Sequence, residues 1–292
     1  FVAFFFAFAV KAPMWPVHTW LPDAATEARP ATAVLLVGVL DKVGTYGMIR
    51  FCLQLFPEAS KWATPVVLVL AVISILYGAL LAIGQTDIMR LIAYTSVSHF
   101  GFIVLGIFAL TKTGGAGSTL YMLNHGFSTA ALFLIAAMLI ARRGSKRIPD
   151  FGGWQRVTPG LAGVFLVAGL SGLALPGLSS FISEIMVLVG TFQRYPAAAV
   201  IATAGIVLAA GRHFDEQVGW AAEAGVSGWE ALLARADSRF TCLDTGAEDP
   251  ALIVYTSAFV CEALRAGINS VSAGQAEAAR ADDGRLVRKP RP

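Results

Sequence analysis

Apolar stretches of about 20 residues, each long enough to cross a bilayer as a helix, follow one another through residues 1–210. They fall at roughly 1–22, 31–55, 64–84, 91–110 and 119–141, then over 160–195 and from 197 to 210. The expected fold is therefore all-α, a polytopic bundle of transmembrane helices. Composition agrees: 56% of the 292 residues are hydrophobic and 14% charged, whereas soluble domains carry about 25% charged residues.

Charge divides the chain in two. Residues 1–210 hold 13 Lys+Arg and 7 Asp+Glu out of 22 and 19 in all, so the last 82 residues hold 9 and 12. The expected organisation is a membrane module over 1–210, with about seven spans, and a polar extramembrane tail over 211–292. The overall charge of +3 describes neither part and gives no reason to expect a nucleic-acid partner. Three cysteines, Cys52, Cys242 and Cys261, form no C-x-x-C pair and suggest neither a disulfide framework nor a zinc site. Phe1 opens the chain inside an apolar run, as if the N-terminus were truncated.

Two of the spans are interrupted. In Val10-Lys11-Ala12-Pro13-Met14-Trp15-Pro16 a lysine and two prolines follow ten apolar residues. Proline lacks a backbone donor and clashes with the preceding turn, so the helix must break there. A broken helix survives in lipid only where protein or a wet cavity surrounds it, and an ionisable residue beside such a break is a candidate functional group. The region 160–195 is too long for one regular helix and carries Leu175-Pro176-Gly177 near its centre. It reads as a second discontinuous helix, with a tight two-helix hairpin as the rival. Interrupted spans in corresponding places point to transporters built from inverted repeats.

With 160–195 as one span, Arg29, Arg90, Arg142, Arg143, Lys146, Arg147 and Arg156 fall on one side, and Lys61, Lys112 and Arg194 on the other. Cytoplasmic loops carry the excess of Lys and Arg, which puts the first side in the cytoplasm. Gly114-Gly115-Ala116-Gly117-Ser118 lacks the Lys-Ser/Thr of a phosphate-binding loop and reads as a flexible connection.

Asp41, Lys42, His99, His125 and Glu184 lie inside the apolar spans. Asp41 and Lys42 point about 100° apart on a helix, so each needs a partner on another element. His99 and His125 sit among hydroxyl side chains (Ser96, Ser98 and Ser128) that can hold water. Burial disfavours the charged form of lysine and glutamate alike and lets both exchange protons near neutral pH. With Lys11, this set suits a proton or ion path. Residues 1–210 show no catalytic triad, nucleotide loop, haem motif or iron–sulfur pattern, so no cofactor is expected and the driving reaction must come from another chain.

Several of these motifs occur together in one family. Val10-Lys11-Ala12-Pro13 through Trp20-Leu21-Pro22-Asp23-Ala24, Gln85-Thr86-Asp87 through Ser98-His99, Asn124-His125-Gly126, and Leu175-Pro176-Gly177 through Ser183-Glu184 resemble the antiporter-like subunits of respiratory complex I, the proton-translocating NADH–quinone oxidoreductase. The resemblance covers 1–210. It implies that Lys11 is the central lysine of the first broken helix and Lys42 the connecting lysine. His99 and His125 would be the bridging histidines, and Glu184 the terminal acid of the second broken helix. It also implies a subunit of a translocase in the bacterial inner membrane, with no redox centre of its own. Its partners would be other membrane subunits, and those other subunits would handle NADH and quinone. Multi-component cation/proton antiporters and membrane-bound hydrogenases share the fold and are the alternatives.

The chain departs from the family in two respects. The glutamate that partners the first lysine lies on an earlier helix, absent here, and the helices expected past Ala210 give way to polar sequence. Within that sequence, Asp249-Pro250 through Thr256-Ser257 resembles the run before the phosphate loop of adenylate-forming acyl ligases. Ala258-Phe259-Val260 stands where the glycines should be, so no ATP chemistry is expected. An acyl-activating ligase is thus a distant alternative resting on the tail alone, and a composite reading frame would account for the junction.

Overall fold

Two local signals set the boundaries of the central helix pair. Asp87 accepts hydrogen bonds from the backbone of Met89 (2.8 Å) and Arg90 (3.2 Å), capping a helix that runs Ile88–Phe108. Thr111 caps the next, Lys112–Arg143, which ends with Arg142 and Arg143 in its last turn and a left-handed Gly144. Basic side chains at a helix C-terminus complement the dipole there. A computed structural model describes residues 1–151 and 157–203, and in these the chain is almost entirely helical. In order the helices are α1 (Val2–Lys11), α2 (Trp20–Glu27), α3 (Pro30–Leu35), α4 (Asp41–Gly47), α5 (Pro57–Ile83), α6 (Ile88–Phe108), α7 (Lys112–Arg143), α8 (Pro159–Gly172) and α9 (Ser179–Phe192). A further helical segment covers 196–203.

One π-helical stretch, Leu36–Leu40, joins α3 to α4, and a second, Met48–Leu53, extends α4, giving one apolar rod, Pro30–Leu53. That rod, α5, α6 and α7 are each long and apolar enough to cross a membrane. Together with the family evidence below, they make this a multi-pass membrane protein. Their outward faces carry exposed Val39, Trp62, Val66, Val69, Leu123 and Phe127, as lipid contact requires.

Apolar burial does not drive helices together in lipid, so close approach at small residues must. A Cβ on Gly101 would lie 2.8 Å from the Ala71 carbonyl, and one on Gly78 would lie 2.6 Å from the Ser98 nitrogen. α5 and α6 therefore pack backbone to backbone, tied by Ser98 Oγ donating to Ile75 O (3.0 Å) and Ser74 Oγ to Val97 O (3.1 Å). Gly114, Gly117 and Gly190 do the same for α7 and α9, where a Cβ on Gly117 would meet Met186 Cβ at 2.7 Å. The expected loop at 114–118 is thus the first turns of α7 instead. Its glycines give contact surface between helices, a use their composition does not distinguish from flexibility. The span expected from 64 begins earlier, at Pro57, with Pro65 inside the helix.

Both expected breaks form single interrupted spans. α1 stacks Phe5 edge-on against Phe108 at one end of α6 (5.6 Å), while Asp23 of α2 pairs with Arg90 at the other end (2.8 Å). α8 packs Ala168 and Leu161 beside Leu139 near the C-terminal end of α7, and α9 brings Gly190 to Thr111 at its N-terminal end (3.0 Å). The second interruption is therefore a broken helix running antiparallel to α7, and the hairpin rival is excluded. Arg90, Lys146 and Arg147 gather at one end of the bundle, where Lys146 Nζ donates to Thr26 O (2.6 Å) and Ile88 N to Lys146 O (3.0 Å). Lys112 and Arg194 lie at the opposite end, as their positions in sequence imply. Arg156, the 211–292 tail and its Asp249–Ser257 motif lie outside the described residues.

Candidate functional site

The first break frees backbone groups, and aromatic and hydroxyl side chains take them up. Trp20 Nε1 donates to Val10 O (2.9 Å), and Trp15 N donates to Ser74 Oγ (3.3 Å). Trp20 also places its ring 5.9 Å from Lys11 Nζ, a cation–π contact at the end of α1. Lys11 is half-buried. His18, in the same break, is 2% exposed and stacks edge-on with Tyr77 at 5.2 Å.

The break is held by the rod. A Cβ on Gly44 would lie 2.6 Å from Ala12 N and 2.7 Å from Phe8 O. Only glycine lets α4 lie this close to the end of α1.

Lys42 projects from the first turn of α4, directly after a π-helical stretch. Such stretches leave carbonyls without their usual partners and recur at functional sites. Lys42 Nζ turns back to donate to one of them, Val37 O. The same nitrogen lies 2.8 Å from His125 Nδ1 and 5.1 Å from the centre of the Phe100 ring. Gly38 and Gly126 make the meeting possible: a Cβ on Gly126 would lie 2.9 Å from Gly38 O.

From His125 the polar line continues through α6 and α7 to α9. The His99 and His125 rings meet edge-to-face at 5.2 Å, and Tyr121, one turn before His125, lies 5.8 Å from His99. Tyr121 OH donates to Glu184 Oε2 at 3.5 Å. At the second break Ala174 (φ +52°) and Gly177 (φ +101°) interrupt the helix, and Ser171 and Ser180 hydroxyls bond across it (3.0 Å). Asn124 fixes the start of α9 by donating to Ser179 O (2.8 Å) and Ser183 Oγ (3.1 Å).

Four of the five expected residues thus meet: Lys42, His125, His99 and, through Tyr121, Glu184. Lys11 stands apart at the other break. Tyr121 is the member that the sequence does not single out, because a tyrosine in an apolar helix reads as packing. Its spacing of four residues before His125 was the available signal. Among the described residues no group of His, Cys, Asp and Glu has the arrangement of a metal site.

Residues 1–209 match the family model described as "NADH:quinone oxidoreductase/Mrp antiporter, TM". Over 210 residues the chain is 62% identical to NADH-quinone oxidoreductase subunit M of Mycobacterium tuberculosis, covering 72% of this chain and 38% of that protein. It is 43% identical to subunit M of Rhodobacter capsulatus, over 72% of this chain and 41% of the relative. The chain therefore spans about two fifths of the length of these relatives. Among solved structures, a chain of respiratory complex I from Thermus thermophilus superposes with a TM-score of 0.68 at 31% identity, covering 89% of this chain and 52% of that one. A chain of the Mrp complex from Dietzia superposes with a TM-score of 0.67 at 28% identity, covering 70% of this chain and 38% of its own.

Proposed function

The chain belongs to the NADH:quinone oxidoreductase/Mrp antiporter transmembrane family, and we propose that it serves as proton-translocating membrane subunit M of an NADH–quinone oxidoreductase. On this reading it couples NADH oxidation and quinone reduction, carried out by other subunits, to proton movement across a bacterial inner membrane. The 62% identity to a subunit M favours this assignment over an antiporter or hydrogenase subunit. No step of the electron transfer is assigned to this chain.

The observation that carries the reading is the contact between Lys42 Nζ and His125 Nδ1 at 2.8 Å, inside the bundle and between the two breaks. A proton on either nitrogen can be donated to the other, because a neutral imidazole nitrogen accepts what an ammonium donates and the reverse also holds. Lys42, His125, His99, Tyr121 and Glu184 then form a relay from the rod to the second break. The 5.2 Å between imidazole centres needs ring rotation or one water to close, since direct transfer requires about 2.6–3.2 Å between heavy atoms. Lys11 loads the relay from the first break.

The test places segment 1–203 in a full-length subunit M of an assembled complex, in sealed inverted vesicles. Lys42→Met keeps the length of the side chain and removes its protons. Proton uptake per NADH oxidised should fall several-fold with the complex still assembled. Uptake at the wild-type ratio would refute the relay.

A further inference from the structure

Asp41 is a second buried charge that the relay does not use. It is fully buried, and neither carboxylate oxygen has a hydrogen-bond partner. A buried carboxylate left without a partner is strongly disfavoured, so its presence in an apolar rod calls for a role. Its neighbour Lys42 does not serve it, because that ammonium turns to Val37 O and His125.

The register of the two helices locates the carboxylate. α1 and the rod run antiparallel: Gly47 packs on the Phe8 ring, and Gly44 packs on Phe8 O and Ala12 N. Asp41 lies one turn further along the same face as Gly44, level with the unwound chain that follows Ala12. Met14 of that unwound chain is fully buried in the cluster that also holds Ala12 and Met48. Lys42 follows Asp41 in the chain, and Lys11 immediately precedes the Ala12 on which Gly44 packs. Asp41 thus sits between the half of the site that holds Lys11 and the half that holds Lys42.

We propose that Asp41 is the proton-carrying carboxyl that joins Lys11 at the first break to the Lys42–His125 pair. This rests on the relay reading above and fills the gap which that reading leaves between the two lysines. The Lys11 ammonium gives its proton, through water in the break, to the Asp41 carboxylate, leaving a neutral amine and a neutral acid. Asp41 then passes the proton to a neutral Lys42 amine, which becomes the ammonium while the carboxylate re-forms. Net charge is conserved at both steps: the first neutralises an ammonium and a carboxylate together, and the second forms a carboxylate and an ammonium together, so neither charge arises alone in the low-dielectric interior.

The experiment compares Asp41→Asn, Asp41→Glu and Lys42→Met in segment 1–203 carried by a full-length subunit M within the assembled complex. Proton uptake per NADH is read in inverted vesicles and normalised to assembled complex. Asp41→Asn keeps the shape and removes the proton carrier. It should lower uptake at least threefold at unchanged abundance, and Asp41→Glu should recover at least half. Wild-type uptake in Asp41→Asn, with Lys42→Met defective, overturns the Asp41 step and leaves the relay standing. Wild-type uptake in Lys42→Met overturns both. If Asp41→Asn does not assemble, Asp41→Leu decides. An assembled Asp41→Leu complex with lost uptake supports the step, and failure of both variants to assemble makes the carboxylate a structural group and overturns it.

Discussion

Lys42 and His125 lie 83 residues apart in the chain and 2.8 Å apart in space. The contact depends on two glycines that bear no charge, Gly38 and Gly126, whose backbones let the rod and α7 approach until a lysine stem can pass between them. A π-helical stretch supplies the Val37 carbonyl that anchors the lysine from behind. Of the two groups that hold the ammonium, only the His125 imidazole can take up its proton, because a carbonyl oxygen accepts the hydrogen bond without being protonated.

Tyr121 links His99 to Glu184, its hydroxyl 3.5 Å from Glu184 Oε2. Tyr121→Phe removes one oxygen and leaves the ring packed between α6 and α9. Proton uptake per NADH should fall several-fold, since loss of a positioned proton carrier slows its transfer step by about 10²-fold or more and NADH oxidation then proceeds with fewer protons moved. Assembly should persist, because loss of a single long hydrogen bond costs about 1 kcal/mol. Blotting for assembled complex alongside vesicle uptake distinguishes the two effects. Glu184→Gln should behave alike, and an unchanged ratio of protons to electrons in both variants would remove α9 from the path.

Gly44 holds the end of α1 against the rod. In Gly44→Ala the new methyl would meet Ala12 N at 2.6 Å and Phe8 O at 2.7 Å, both backbone atoms that cannot rotate away. Overpacking of this kind costs about 1–3 kcal/mol, and here it also displaces Lys11. The unfolding midpoint of detergent-solubilised protein should drop clearly. Gly160→Ala is the control: nothing lies within 4 Å of its Cβ, so the midpoint should hold or rise slightly.

The two helix breaks were legible because proline spacing is a local signal, and so were the buried ionisable residues, which stand out against apolar spans. The partnerships were not. Which face of α7 meets the rod is decided by glycine contacts such as Gly126 on Gly38, and a glycine in sequence does not say whether it bends, loosens or packs. The same ambiguity made 114–118 read as a loop when Gly114 and Gly117 are helix-contact residues. The π-helical stretches flanking α4 left no sequence trace at all, although they orient Lys42.

Lys11 separates a relay from a counter-charge. Its ammonium lies by the Trp20 ring at the end of α1, next to the Ala12 on which Gly44 of the rod packs. If its task is to neutralise buried acid, arginine serves as well, since the cation remains and stacks on tryptophan at least as favourably. If its task is to release a proton, arginine fails, because a guanidinium stays protonated in proteins. Lys11→Arg in an assembled complex should therefore keep abundance and NADH oxidation measured with an uncoupler, while proton uptake per NADH falls several-fold. Lys11→Ala should lose uptake too, and some assembly besides, since the cation–π contact that steadies the break is gone. Lys11→Arg vesicles that acidify at the wild-type rate would make Lys11 a structural charge, and the path would then begin at Lys42.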